Sequence, residues 1–364
     1  MSMDKNSVAN DLDFISIPEL EEKARSCMPH MAYEFLASGA ADEITLRWNR
    51  ERYDSIALRP RVLREISPPD TGTTLLGRNL PFPFLLAPVA YHGVLHRDAE
   101  IATAIGAGSG GATLIVSTNT NTPIEEIAAA ASAPLWFQLY VQSDRTFTAD
   151  VVHRAAASGC EALVVTVDTP TLGPRDRQAR SAFRLPDGMT TPHLHDVNSG
   201  HRTIMTPARA ALTWRDMEWL RSLSQMPIVL KGILDAADAG LAVESGADGI
   251  IVSNHGGRNL DTAPATLDAL PGVVDRVAGR VPVIVDGGIR RGTDIVKALA
   301  LGASAVGIGR PYCYGLALGG ADGVARVIGI LRTELEMAML LLGVASIGGI
   351  DPSVLWSGAA ETRR

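Results

Sequence analysis

The chain has 364 residues, 46% of them hydrophobic, enough to bury a large core as one α/β barrel or two ordinary domains, which excludes a disordered polypeptide. Forty acidic against 33 basic side chains give a formal net charge of -7, so neither nucleic acid nor an anionic membrane surface is expected as the main partner. Any anionic ligand must be captured by a local cluster of cations.

Three cysteines, Cys27, Cys160 and Cys313, show neither metal-ligand nor redox-motif spacing. The first residues carry acids and amides where a secretory leader needs a basic start and an apolar run, and no later apolar stretch reads as long enough to span a membrane. A soluble protein of the reducing cytoplasm is expected.

In chain order, residues 1–80 read as an N-terminal helical extension. Short β-rich apolar runs then recur at 84–88, 113–117, 135–140, 163–168, 228–232, 250–254, 283–287 and 305–310. Amphipathic, Ala-rich stretches at 98–107, 150–158, 236–245 and 293–301 fall between them, an alternation of parallel type. Eight such units predict a (β/α)8 TIM barrel over 81–345, in a single domain with the extension before it and a tail at 346–364. A doubly wound open sheet would place its glycine-rich turn after the first strand, whereas here such turns follow the late strands. The interval after the fourth strand is rich in Arg, Pro, Gly and His and predicts a long lid over 169–213, then a helix near 214–224. His193, His195 and His201 in the lid lack regular ligand spacing and nearby cysteines, so they read as solvated loop residues and no metal is assigned.

A barrel of this type binds its ligands at the C-terminal ends of the strands. The polar residues there are Ser117, Gln138, Tyr140, Thr166, Asp168, Lys231, Ser253, His255, Asp286, Arg290 and Arg310. A lysine and an aspartate inside apolar runs argue against mere solvation of the rim. Directly after the run 249–252, His255 and Arg258 bring a base that titrates near neutrality together with a planar fork of donors suited to a carboxylate. The turns Asp286-Gly287-Gly288-Ile289-Arg290 and Gly307-Ile308-Gly309-Arg310 lie where barrels bind phosphate through backbone N–H groups and a nearby cation, which implies a phosphorylated cofactor.

The run Ser253-Asn254-His255-Gly256-Gly257-Arg258-Asn259-Leu260-Asp261, followed by Asp286-Gly287-Gly288-Ile289-Arg290-Arg291-Gly292, resembles the FMN-dependent 2-hydroxy acid oxidases and dehydrogenases. The likeness extends from about Ile17 to the region of Ser346 and takes in Phe137-Gln138-Leu139-Tyr140, Thr166-Val167-Asp168-Thr169-Pro170 and Leu230-Lys231-Gly232. The family includes glycolate and lactate oxidases and mandelate dehydrogenases and oxidases. The resemblance implies FMN as cofactor, oxidation of an L-2-hydroxy acid to the 2-oxo acid, and commonly a homotetramer. It implies His255 as the base, Asp168 as the group that holds its imidazole, Arg258 and Arg175 as carboxylate ligands, and Tyr140 as a donor to the substrate oxygen. Lys231 would lie by the flavin N1–C2 edge. The turn Ala87, Pro88, Val89 and Ala90 would meet the cofactor, and Ser117, Gln138, Thr166 and Ser253 would bond the ring or ribityl chain. Asp286, Gly288, Arg290, Gly309 and Arg310 would hold ribityl and phosphate.

Two positions depart from the pattern. Phe35 stands where many members carry a tyrosine that binds the carboxylate, and Asn119 where glycolate-oxidising members carry a tryptophan. A phenyl ring donates no hydrogen bond, and Asn119 leaves more room, so a larger, aromatic substrate is expected. The turn 87–92 is also similar to that of hydroxymandelate oxidases, although Tyr91 and His92 read equally well as packing residues. The electron acceptor stays open: oxygen giving peroxide, another acceptor in a dehydrogenase, or a decarboxylating monooxygenase. An FMN-dependent isomerase and a flavin-binding barrel without turnover are the rival readings.

Overall fold

The structure is a computed structural model that describes residues 12–66, 68–195 and 212–356. A hairpin, β1 (Thr73–Leu75) and β2 (Arg78–Leu80), precedes the strands β3 (Phe84–Leu86), β4 (Leu114–Ser117), β5 (Leu135–Leu139), β6 (Leu163–Thr166), β7 (Ile228–Ile233), β8 (Gly249–Val252), β9 (Val283–Asp286) and β10 (Ala305–Ile308). β3 to β10 form a closed barrel in chain order, parallel throughout, with β10 returning to pair with β3. Each barrel strand coincides with one of the apolar runs, because a parallel strand covered on both faces is apolar at almost every position. Alternate residues divide the core. Leu85, Ile115, Trp136, Val164, Val229, Ile251 and Ile284 fill the barrel, while Leu86, Phe137, Leu163, Leu230, Ile250 and Val285 face the helices.

The N-terminal extension is helical at Ile17–Cys27, His30–Ala37 and Ile44–Asp54, but it ends in the β1–β2 hairpin rather than in a helix. Thr73 and Thr74 favour strand, and each strand ends in a buried leucine, Leu75 and Leu80, packed against the residues that fill the barrel. Helix Asp216–Leu223 fills the predicted place after the lid; residues 196–211 of that lid, His201 among them, lie outside the described residues.

The last helix, Arg310–Leu342, corrects one expectation. It is 33 residues long and apolar enough, by length and composition, to cross a membrane. Charged residues such as Asp322 and Arg326 break its apolar pattern in the sequence, and Gly319 and Gly320 interrupt its helical geometry. More than half of its most apolar stretch is buried, against helices Ala99–Gly110 and Ile17–Cys27, as suits a core helix.

Candidate active site

The inward alternation that stacks Trp136, Val164, Val229 and Ile251 inside the barrel places Gln138, Thr166, Lys231 and Ser253 one layer higher, at the strand ends. All four are buried and bonded in two groups: Ser117 Oγ donates to Gln138 Oε1 (3.1 Å) and Gln138 Nε2 to Thr166 Oγ1 (2.9 Å), while Lys231 Nζ donates to Ser253 Oγ (2.9 Å). Lys231 also lies 3.3 Å from Asp286. Burial works against its charge, but Asp286 and Asp168 outweigh burial and raise its pKa, so it stays an ammonium ion.

His255 follows β8 with φ +59°, a left-handed conformation unusual for a bulky residue. Its Nδ1 lies 3.0 and 3.2 Å from the two carboxylate oxygens of Asp168, and its Nε2 3.3 Å from Tyr140 Oη. An ionised carboxylate only accepts, so Nδ1 carries the proton and Nε2 keeps its lone pair toward Tyr140. Burial would raise the Asp168 carboxyl, but His255, its hydrogen bond and Lys231 outweigh this and hold it at about 2. The imidazole is pushed the other way: burial, with the Lys231 and Arg175 charges, outweighs Asp168 and lowers its pKa below the ordinary histidine value. His255 is therefore a neutral base at neutral pH, with one edge open, its side chain being 19% exposed. The pairing depends on Gly232 in β7, at φ +113°, where a Cβ would lie 2.4 Å from Asp168 Cβ.

Arg258 is half-buried and forms no ion pair among the described residues. Its guanidinium donates to the carbonyls of Ser38 (2.6 Å) and Leu36 (3.4 Å) and to Gln178 Oε1 (3.4 Å), and lies 5.7 Å from the centre of the Phe35 ring. Burial, with Arg175 and Arg310 beside it, pushes its pKa well below the usual arginine value. Arginine keeps its proton in proteins, so burial works against a charge that a bound anion would offset. Arg175 is tied to the same turn by a 3.2 Å bond from Nε to Arg258 O. Phe35 stacks on Phe183 at 4.4 Å and contacts Tyr91 at 6.0 Å, so the cation sits against an aromatic wall. Asn119 lies half-buried nearby, its carbonyl accepting from Tyr91 N (2.8 Å) and its N–H donating to Ser117 Oγ (3.1 Å).

The residues expected to hold FMN fit that group. Asp286 Oδ1 is buried with no hydrogen-bond partner among the described residues, an acceptor suited to a ribityl hydroxyl. At Gly309 a Cβ would meet nothing within 4 Å, so open space borders the N-terminus of helix Arg310–Leu342, where a phosphate is favoured. Arg290 stands at that end, paired with Glu21 at 3.0 Å. Pro88, Val89 and Ala90 are half-buried after β3, while Ala87 is buried. The Arg310 side chain, expected at the phosphate, donates to the carbonyls of Leu36 (2.9 Å), Gly256 (3.0 Å) and Ser38 (3.1 Å). It ties the N-terminal extension to the catalytic turn.

Other residues were misread or missed. His193 is fully buried rather than solvated: Ile124 N donates to its Nε2 (3.1 Å), and its Nδ1 lies 2.9 Å from Thr120 Oγ1. Burial lowers its pKa to about 4, so it remains neutral and pins the lid to the loop after β4. His195 is half exposed, as expected. His92 is buried against Thr103 and Tyr312, a packing role. Glu100, buried within an Ala-rich helix, accepts from His92 N, Asn121 N and Thr122 Oγ1, joining the loops after β3 and β4. An acid inside an otherwise small and apolar helix was its only signal in the sequence.

The profile of the family described as FMN-dependent dehydrogenase matches residues 24–357. The chain is 46% identical over 356 residues to the L-lactate oxidase of Nostoc sp., covering 94% of this chain and 98% of that one. It is 44% identical to the 2-hydroxyacid oxidase of Dictyostelium discoideum, with 96% and 92% covered. Among solved structures, mandelate oxidase with (S)-4-hydroxymandelic acid superposes with a TM-score of 0.89 at 40% identity, covering 94% of this chain and 98% of that one. With His255, Asp168, Lys231 and Arg258 gathered at the strand ends as the motifs require, the chain belongs to the FMN-dependent dehydrogenase family.

Proposed function

We propose that this chain, an FMN-dependent 2-hydroxy acid oxidase, acts on a bulky, aromatic (S)-2-hydroxy acid and passes the electrons to oxygen, giving hydrogen peroxide. The observation that carries the reading is Arg258, a cation with no carboxylate partner among the described residues, set against the ring of Phe35 and within one turn of a neutral base, His255. Phe35, Phe183 and Tyr91 offer an apolar, aromatic lining where a tyrosine would favour small polar acids. Solved mandelate oxidases with (S)-mandelic and (S)-4-hydroxymandelic acids are similar at 39% and 40% identity, which supports the aromatic class.

The chemistry follows from the geometry. Arg258 and Arg175 bind the substrate carboxylate, and Tyr140 Oη donates to a substrate oxygen when substrate displaces its contact with Nε2. His255 Nε2 takes the substrate proton, and Asp168 holds Nδ1–H and stabilises the imidazolium that forms. FMN, when bound, supplies the acceptor of the two electrons. Ser117, Gln138, Thr166, Lys231 and Ser253 would hold its ring and ribityl chain, with Asp286, Gly288, Arg290 and the turn at Gly309 toward its phosphate. The Lys231 ammonium favours negative charge beside it.

A homotetramer is part of this proposal. Val62, Leu63, Met337, Leu340 and Leu341 are exposed apolar side chains on two segments joined by the Arg61 N to Leu341 O bond, a surface suited to another copy. A reducing cytoplasm suits the free thiols Cys27, Cys160 and Cys313.

The test is anaerobic absorbance of the FMN-loaded protein with glycolate, L-lactate and (S)-mandelate, then air. Bleaching by (S)-mandelate with rapid, peroxide-forming recovery is the expected result. Bleaching by glycolate but not (S)-mandelate overturns the aromatic assignment, and slow recovery in air overturns the oxygen assignment.

Restoring the hydroxyl with Phe35→Tyr should lower KM for glycolate or L-lactate by roughly tenfold, the low end of the worth of one hydrogen bond to a charged group, and favour them relative to (S)-mandelate. The pH dependence has a fixed sign. Because the His255 pKa lies below the ordinary value of about 6.5, the free enzyme keeps a neutral base down to that lowered pKa. A pH profile of kcat/KM should be flat on this limb above about 6.5 and fall at lower pH as His255 becomes protonated.

A further inference from the structure

We infer that Asn49, on the N-terminal extension and outside the barrel, is a positioning residue for the catalytic base. The inference rests on His255 being that base. Helix Ile44–Asp54 is mostly polar, with Arg47, Arg50, Glu51 and Arg52 along it, yet Asn49 on this helix is only 1% exposed. Asparagine is a weak helix former, and a buried amide must find partners, so its burial here calls for an explanation.

The partner is Asn254, the residue before His255 and itself buried. Asn49 Nδ2 donates to Asn254 Oδ1 and Asn254 Nδ2 donates to Asn49 Oδ1, both at 2.8 Å, so the amides close a ring that fixes each in one orientation. Both second lone pairs and the second proton of Asn254 are used as well. Asn254 Oδ1 accepts from Gly257 N (3.0 Å), Asn254 Nδ2 donates to Pro264 O (3.0 Å), and Asn49 Oδ1 accepts from Thr266 N (3.2 Å). The Asn254 side chain thus ties down the far side of the turn that carries His255, while Ser253 Oγ accepts from His255 N (3.1 Å) on the near side. A left-handed backbone at a bulky residue persists only where its surroundings over-determine it, and this amide ring is part of that constraint. Asn49 also abuts the cofactor turn, since a Cβ at Gly288 would lie 2.3 Å from the Asn49 carbonyl oxygen.

Without Asn49 the Asn254 amide loses its fixed orientation and the turn relaxes. His255 then leaves the geometry set by Asp168 on one side and Tyr140 on the other, and its exposure to the Lys231 and Arg175 charges changes. Small displacements of a catalytic group cost on the order of 10- to 100-fold in rate.

The test uses the FMN-saturated enzyme reduced anaerobically by (S)-mandelate and by L-lactate. Asn49→Ala and Asn254→Ala are each expected to slow bleaching roughly 10- to 100-fold, to move the apparent pKa of kcat/KM, and to show no further loss when combined, because both break one ring. Asn49→Asp, close to isosteric, keeps the acceptor for Thr266 N–H but loses the donor to Asn254. It should show the same slowing, and it carries the test if the alanine variant does not fold. Wild-type bleaching rates and pH profile in the folded variants, whether or not the melting temperature falls, would overturn the inference. His255→Gln is the control: if it bleaches at the wild-type rate, the assignment of the base fails, whereas an inert His255→Gln beside a normal Asn49 variant sinks the Asn49 role alone.

Discussion

His255→Gln is expected to slow anaerobic bleaching by a 2-hydroxy acid by roughly 10²- to 10⁴-fold, the usual worth of a positioned general base. Glutamine approximates the size of imidazole and retains hydrogen-bonding groups, but it accepts no proton at any relevant pH. The effect should fall on the rate of bleaching more than on substrate affinity, because in the proposed mechanism the carboxylate is bound by Arg258 and Arg175 rather than by the base. FMN should stay bound, since Lys231, Ser253 and Asp286 keep their own contacts at 2.9 and 3.3 Å. The acid limb of the kcat/KM profile attributed to His255 should also disappear. Stopped-flow bleaching over a range of pH reads all of this, and wild-type bleaching would place the base on another residue.

The second large effect is expected at Arg258. Arg258→Met should raise KM for the hydroxy acid roughly 10- to 100-fold, in line with about 1.5–3 kcal/mol for hydrogen bonds to a charged group. Arg258→Lys should recover only part of this, because lysine keeps the charge but not the planar fork. The loss should be severe in this chain because a phenyl ring at Phe35 donates no hydrogen bond, so the proposed recognition of the carboxylate rests on Arg258, Arg175 and Tyr140. The guanidinium also binds the carbonyls of Ser38 and Leu36, so some effect on stability is expected. A neutral substrate separates the two: the primary amide of mandelic acid should lose little on Arg258→Met if the role is carboxylate binding. Equal losses for acid and amide would mean that the site has collapsed.

The helices were less legible than the strands, for identifiable reasons. Helix Arg145–Ala157 starts well before the expected 150, because Asp144 caps it by accepting from Phe147 N (2.9 Å), a signal hidden among polar residues. Helix Thr266–Val277, implied by the eight-unit barrel, was not placed from its own residues, and it carries Pro271 in its interior. The site shows the same division. His255, Asp168, Lys231 and Arg258 stand out because charged groups beside apolar strands are costly and therefore conspicuous. Asn49, Glu100 and His193 do not, because each is an unremarkable residue type until its distant partner is known.

The sequence by itself determined the barrel, because eight strands covered on both faces must be written as eight apolar runs, and a strand end is the place where a polar residue can face a ligand. It also pointed to the groups proposed here for the chemistry, through residue types with few other uses at those positions. Only the tertiary structure decided how those groups are held. The pairing of Asn49 with Asn254 spans 205 positions of the chain, that of Arg310 with Leu36 spans 274, and that of Asp168 with His255 spans 87. Partnerships of that range are set by which loops the closed barrel brings to one rim, and no local pattern of residues encodes them. The direction of the His255 pKa shift was likewise a tertiary result, because burial and the Lys231 and Arg175 charges outweigh Asp168 only once all four groups are folded into one site.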